Sequence, residues 1–196
     1  MAAGVPAVAD FIRKPLRGFG EALYASPMAT LAIDIRHPRT ADAAGLAAVF
    51  DAAWAQAYRG IIPDVDLRRI AARRGEAYWS HVADSAARQV LVLSVDGAAR
   101  GYASFGGNRN QRMPAQGEVY ELYVDPVCQG LGFGRALFDA ARRRLCARRH
   151  RGLVVWALAG NERADAFYRR AGGHVAAEDR IYFLSRNYRR IAYLWQ

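Results

Sequence analysis

A mixed α/β sheet of six or seven strands with flanking helices is the fold class this sequence predicts. Three features predict it. Stretches of apolar–polar alternation trade places along the chain with stretches of helical period. The pair Asp96-Gly97 stands between two strand-like runs, the signal of a tight hairpin. A strand, a glycine turn, a helix and a buried strand follow one another from Glu118 to Leu158, the order of a right-handed crossover unit.

In chain order, Leu31 to Arg36 alternates and reads as the first strand. Thr40 to Tyr58 reads as a helix, with Thr40 as its N-cap and Leu46, Val49, Phe50, Ala53, Trp54 and Ala57 on one face. Gly60 ends it, and Pro63-Asp64 opens a second helical region running to Ala83. Arg88 to Val95 and Arg100 to Phe105 form the hairpin, and Glu118 to Val124 is a third strand stopped by Asp125-Pro126. Then come a helix from Gly132 to Arg149, a strand from Gly152 to Leu158 and a helix from Glu162 to Ala171. Gly172-Gly173 is a sharp exit, and His174 to Ala177 and Ile191 to Trp195 read as two last strands. Residues 1–30 carry Pro6, Pro15 and Pro27 and little periodicity, so they read as a poorly packed N-terminal extension, leaving 31–196 as one domain.

Composition narrows the class. At 196 residues, with 53% hydrophobic and 23% charged side chains, the chain suits one core and is not a disordered polymer. No apolar run approaches the roughly 20 residues of a membrane span. Cys128 and Cys146 make no disulfide framework, and His37, His81, His150 and His174 show no metal spacing, so the expectation is a cytoplasmic protein without a metal. The net charge of +10 comes almost wholly from arginine and suits a solvated surface or an anionic partner.

The informative segment runs from Leu122 to Leu137: strand, proline stop, glycine-dense turn, helix. Glycines 130, 132 and 134 strip the turn of side chains, so that successive amide N–H groups converge at the positive end of a helix. That is an anion site suited to a pyrophosphate, with Arg135 adding charge. The Gly-Lys-Ser/Thr ending of a nucleotide-binding loop is missing, and Gly-x-Gly-x-x-Gly fails in either register.

What remains is Gln129-x-x-Gly132-x-Gly134, and here the chain resembles the GNAT superfamily of acyl-CoA-dependent N-acetyltransferases. A second segment, Asn161 through Phe167-Tyr168 to Gly172-Gly173, is similar to that family's Asn-x-x-Ala-x-x-Phe-Tyr-x-x-x-Gly motif. A third likeness is Trp54 through Tyr58 to Pro63, and the resemblance covers residues 31–196. It implies a single-domain GNAT-like fold with a splayed central strand pair and acetyl-CoA as co-substrate. Leu122, Tyr123 and Val124 would hold the pantetheine arm, with Gln129, Gly130, Leu131, Gly132, Phe133, Gly134 and Arg135 at the pyrophosphate and Asn161 touching the cofactor or capping its helix.

The reaction so implied is direct attack of a primary amine on the thioester in a ternary complex. Tyr168 matches the family's tyrosine and would protonate the departing thiolate. A base is useful, because an alkylammonium of pKa near 10.4 costs roughly 4 to 5 kcal/mol to neutralise at pH 7. Glu118 and Glu121 are the candidates; their odd spacing predicts opposite faces of a regular strand, and the resemblance favours Glu118, acting through water. The backbone amide near Val124 is the expected oxyanion donor. Where some relatives have a glutamate five residues before the asparagine, this chain has Trp156.

Trp54, Tyr58 and Tyr120 are placed around the acceptor, a small molecule or peptide amine whose identity the sequence leaves open, as it does a homodimer. Asn108, Arg109, Asn110 and Arg112 predict a loop that favours an acceptor bearing a carboxylate or phosphate. Two other readings stay open. One is a basic nucleic-acid-binding module built on Arg142-Arg143-Arg144 and Arg148-Arg149-His150-Arg151, although no reading motif accompanies them. The other is an acyl-CoA sensor without catalysis.

Overall fold

In a computed structural model the described residues are 31–85, 89–184 and 186–196; the N-terminal extension lies outside them. Ala32–Gln196 forms a unit of its own and carries the sheet. Seven strands run in the order β1-β2-β3-β4-β5-β7-β6. Their ranges are β1 Ile33–Arg36, β2 Val90–Val95, β3 Ala98–Gly107, β4 Gly117–Val124, β5 Leu153–Leu158, β6 His174–Phe183 and β7 Arg186–Trp195. The helices are α1 Ala43–Tyr58, α2 Asp64–Arg73, α3 Glu76–Ser85, α4 Phe133–Ala147 and α5 Glu162–Arg170. The predicted α/β class holds.

Three local expectations are corrected. Thr40 does not cap α1: Thr40–Asp42 is a 3-10 turn, and Asp42 is the anchor. Its carboxylate accepts from both terminal nitrogens of Arg36, at 2.6 and 2.8 Å, and from the amide of Arg39 at 2.7 Å. A carboxylate forms a bidentate ion pair with a half-buried guanidinium, which a hydroxyl cannot. The second helical region is two helices, broken at Arg74 and Gly75. The tail strands are longer than their apolar cores, because the added length is polar edge: Arg189 pairs with Glu178 at 2.9 Å and Arg190 with Asp179 at 3.0 Å across the ladder.

Two apolar clusters hold the sheet between helix layers. One packs Leu137, Phe138 and Ala141 of α4 on Leu91, Leu93, Phe105 and Val119. The other packs Leu46, Phe50 and Trp54 of α1 with Trp79 of α3 on Val90, Val92 and Tyr102. Buried aliphatic and aromatic side chains contribute about 1.5–3 kcal/mol each, so these layers fix the positions of β4 and β5. Those two strands are parallel but pair only at Gly117–Val119 with Leu153–Val155. Beyond that they part.

Candidate active site

The parting of β4 from β5 makes the site. From Tyr120 to Val124 the side of β4 away from β3 has no strand beside it, and it offers amide donors and acceptors to an extended ligand. The gap opens into a cavity of about 760 Å³. Leu122, Tyr123 and Val124 form one wall, Gly130, Gly132, Gly134 and Arg135 the floor, and Asn161, Phe167 and Tyr168 the other wall. One cavity thus gathers segments that the sequence keeps apart.

The glycine turn is bare. Gly130 and Gly132 take φ of +81° and +82°, and a Cβ on either would meet nothing within 4 Å. Leu131 turns to solvent, 61% exposed, while Phe133 is buried in the core at 6%, so both bring only backbone to the turn. Gly132 caps α4 with no side-chain acceptor, which leaves the first-turn amides to an anion at the positive end of the helix. Arg135 reaches the cavity and pairs with Asp139 at 2.8 Å.

Two motif residues act as struts. Gln129 donates from Nε2 to the Val124 carbonyl at 3.0 Å and accepts from Arg163 at 3.0 Å, tying the end of β4 to α5. Asn161 accepts from the amide of Ala164 at 3.1 Å and so caps α5 while lining the cavity.

Tyr168 is packed among Phe138, Phe167 and Tyr193. Burial first, then the neighbouring Tyr58 and Tyr193, push its phenol well above the usual range, so it carries its proton at neutral pH. No side chain among the described residues bonds its hydroxyl.

The carboxylates overturn the spacing argument. Ser104 pairs with Glu121 and the next residue, Phe105, with Val119, so Tyr120 is an extra residue in β4. That bulge puts Glu118 and Glu121 on the same face of the sheet, toward α1–α3. Glu118, 2% exposed, accepts from Arg109 through Nη2 at 2.6 Å and through its amide at 2.9 Å. Glu121 accepts from Arg74 at 3.0 Å and from the Tyr102 hydroxyl at 3.0 Å. Burial drives the Tyr102 phenol far up, and the charge of Glu121 adds to it. Sequence reasoning missed Arg74 and Tyr102, and it placed Arg109 at the acceptor where the structure sets it on Glu118. Arg74 lies 47 residues from Glu121, and no motif joins them.

Of the residues expected around the acceptor, Tyr58 reaches Tyr123 through its hydroxyl at 3.1 Å. Trp54 sits in the core, stacked on Phe50 at 5.4 Å, and α1 faces the cavity with Ala53, Gln56 and Ala57 instead. Tyr120 donates to the Gly107 carbonyl at 2.8 Å, with Arg109 over its ring at 4.0 Å. Asn108 and Asn110 hold their own loop together, and Arg109 holds Glu118. Of those four residues only Arg112 keeps a guanidinium with no hydrogen-bond or ion-pair partner among the described residues.

Similarity to known proteins agrees with this geometry. Residues 46–173 match the profile of the acetyltransferase (GNAT) family. The chain is 27% identical over 148 residues to YuaI, an uncharacterised N-acetyltransferase of Bacillus subtilis, covering 75% of this chain and 83% of that one. It is 41% identical over 78 residues to a mycothiol acetyltransferase of Acidothermus cellulolyticus, a match that spans 40% of this chain and 24% of that longer protein. In structure it resembles the PaiA N-acetyltransferase of Thermoplasma acidophilum, solved with coenzyme A, with a TM-score of 0.67 at 17% identity over 82% of this chain and 98% of that one. YncA of Salmonella typhimurium, solved with acetyl-CoA, gives 0.58 at 23% identity over 84% and 94%. With its parted strands, bare glycine turn and matching profile, the chain belongs to the acetyltransferase (GNAT) family, as an acetyl-CoA-dependent acyltransferase.

Proposed function

We propose that this protein moves an acetyl group from acetyl-CoA directly to a primary amine in a ternary complex. The observation that carries the reading is a single cavity combining an open strand edge, an uncapped glycine turn and a phenol with no hydrogen-bond partner among the described residues. Acetyl-CoA, when bound, supplies an activated acetyl thioester. The edge at Leu122, Tyr123 and Val124 pairs with its amide-bearing arm, and the turn from Gly130 to Arg135, with first-turn amides unblocked, takes the diphosphate. Asn161 borders the same ligand.

Tyr168 gives its proton to the departing sulfur as the amine nitrogen bonds to the acetyl carbon and the carbon–sulfur bond breaks. Burial keeps that proton in place until it is needed. Glu121 takes the amine's surplus proton through water. Its negative charge bears on the Tyr58 and Tyr123 hydroxyls beside the cavity, whereas Glu118 is enclosed by Arg109.

Calorimetric titration with acetyl-CoA, followed by thiol release with a panel of amines, tests the reading. Saturable binding with amine-dependent release is expected. No binding at millimolar acetyl-CoA overturns it, and binding without release for any amine favours a sensor.

A further inference from the structure

A second opening, about 740 Å³, lies between the loop after α1 and the start of β7. Tyr58, whose hydroxyl meets Tyr123 at the first cavity, ends α1, and Arg59 follows it directly into the rim of this opening. Arg186, at the first position of β7, is on the rim too. Both arginines are exposed, and neither guanidinium has an ion-pair or hydrogen-bond partner among the described residues.

That sets them apart from their neighbours. Arg74 and Arg109 are tied to Glu121 and Glu118, and Arg189 and Arg190, further along β7, to Glu178 and Asp179. The carboxylate on the same rim, Asp64, is the first residue of α2, where the helix dipole already favours its charge. Tyr188 also lines the opening, but it is only 9% exposed and its hydroxyl is enclosed, without a hydrogen-bond partner among the described residues, so the polar groups offered to a ligand here are the two guanidiniums.

We propose that this opening holds the anionic end of the amine acceptor, a carboxylate or a phosphate, between Arg59 and Arg186. The inference rests on the acetyl-transfer reading and adds the acceptor's class. On the loop where the sequence placed an anion preference Arg109 is held by Glu118, whereas Arg59 and Arg186 on this rim are unpaired among the described residues.

The test uses the full chain with CoA at saturation, so that the first cavity is filled. Inorganic phosphate and acetate are titrated in separate arms while the arginine Nε–Hε NMR signals are followed. Saturable shifts at Arg59 and Arg186 in either arm support the site, and the stronger arm names the anion. No saturable shift, or one shared evenly by exposed arginines, overturns it. In turnover, leucine is compared with leucinamide, and 2-aminoethyl phosphate with pentylamine. The anionic member of at least one pair should lead by about tenfold or more in kcat/KM. The Arg59→Gln/Arg186→Gln double variant should shrink that lead to about twofold, through KM rather than kcat. Equal turnover of both members of both pairs overturns the proposal. Absence of CoA binding in calorimetry would remove the acetyl-transfer reading itself, an outcome distinct from an unselective acceptor site.

Discussion

The hydroxyls of Tyr58 and Tyr123 meet at 3.1 Å and join the end of α1 to the strand that borders the cavity. Burial pushes both phenols up, so both stay protonated and the contact is a neutral hydrogen bond. Tyr58→Phe leaves the Tyr123 hydroxyl without that partner and should cost about 1–2 kcal/mol in chemical denaturation. Tyr123→Phe should cost a similar amount. The double variant should lose less than the sum, the mark of a direct contact.

Tyr168→Phe should leave folding stability unchanged within about 0.5 kcal/mol, because no side chain among the described residues bonds the hydroxyl. Acetyl-CoA binding should be unaffected, and kcat should fall by about 10²-fold or more. As the phenol lies above its ordinary value, the parent enzyme should show no loss of rate from this group up to pH ~10. An alkaline limb below pH ~9 that vanishes in Tyr168→Phe would contradict the assignment.

Gly132→Ala puts a Cβ at a φ of +82° and a methyl beside the uncapped amides. The backbone strain should cost about 1–2 kcal/mol of stability. Acetyl-CoA affinity, read by calorimetry, should fall with it. Gly75→Ala is the control, since that glycine has no positive φ, also meets nothing within 4 Å, and lies outside the cavity wall. It should leave affinity unchanged.

Glu121→Gln and Glu118→Gln separate the two carboxylates that the bulge at Tyr120 brings to one face. Glu121→Gln should lower kcat about 10²-fold and move the optimum upward in pH, toward the acceptor's own deprotonation. Glu118→Gln weakens the hold of a buried carboxylate on the exposed Arg109 guanidinium and should act mainly on stability, by about 1–2 kcal/mol. The reverse pattern in stopped-flow and denaturation data would return the base to Glu118.

Asp42→Ala removes the acceptor of two hydrogen bonds from Arg36 and should cost about 2–3 kcal/mol. The hydrogen bond to Arg36 holds Asp42 below the usual carboxylate value against the opposing effect of burial. The stability it adds is whole above pH ~4 and is lost as pH falls through the depressed value. Acid titration of parent and variant should therefore converge at low pH.

The sheet class, the hairpin at Asp96-Gly97 and the turn at Gly130–Gly134 were legible because each rests on local patterning or on glycine chemistry. The relation between Glu118 and Glu121 was not, because strand period assumes a regular ladder and Tyr120 breaks it. Nor was the outward length of β6 and β7, where Arg189 and Arg190 meet Glu178 and Asp179 across the ladder. The neighbours of Trp54 in sequence point it toward the acceptor, while stacking on Phe50 draws its ring into the core.

The fork in the sheet has a consequence for how the protein behaves in a cell-like mixture. Between the half built from β1–β4 and the half built from β5–β7, only three residue pairs fasten the strands. A long reactant lodged beyond them works as a missing stave, so the melting temperature and the amide-exchange protection of Leu122 to Val124 should climb with its concentration. The thioester pool would then govern how durable the catalyst is, as well as how fast it turns over.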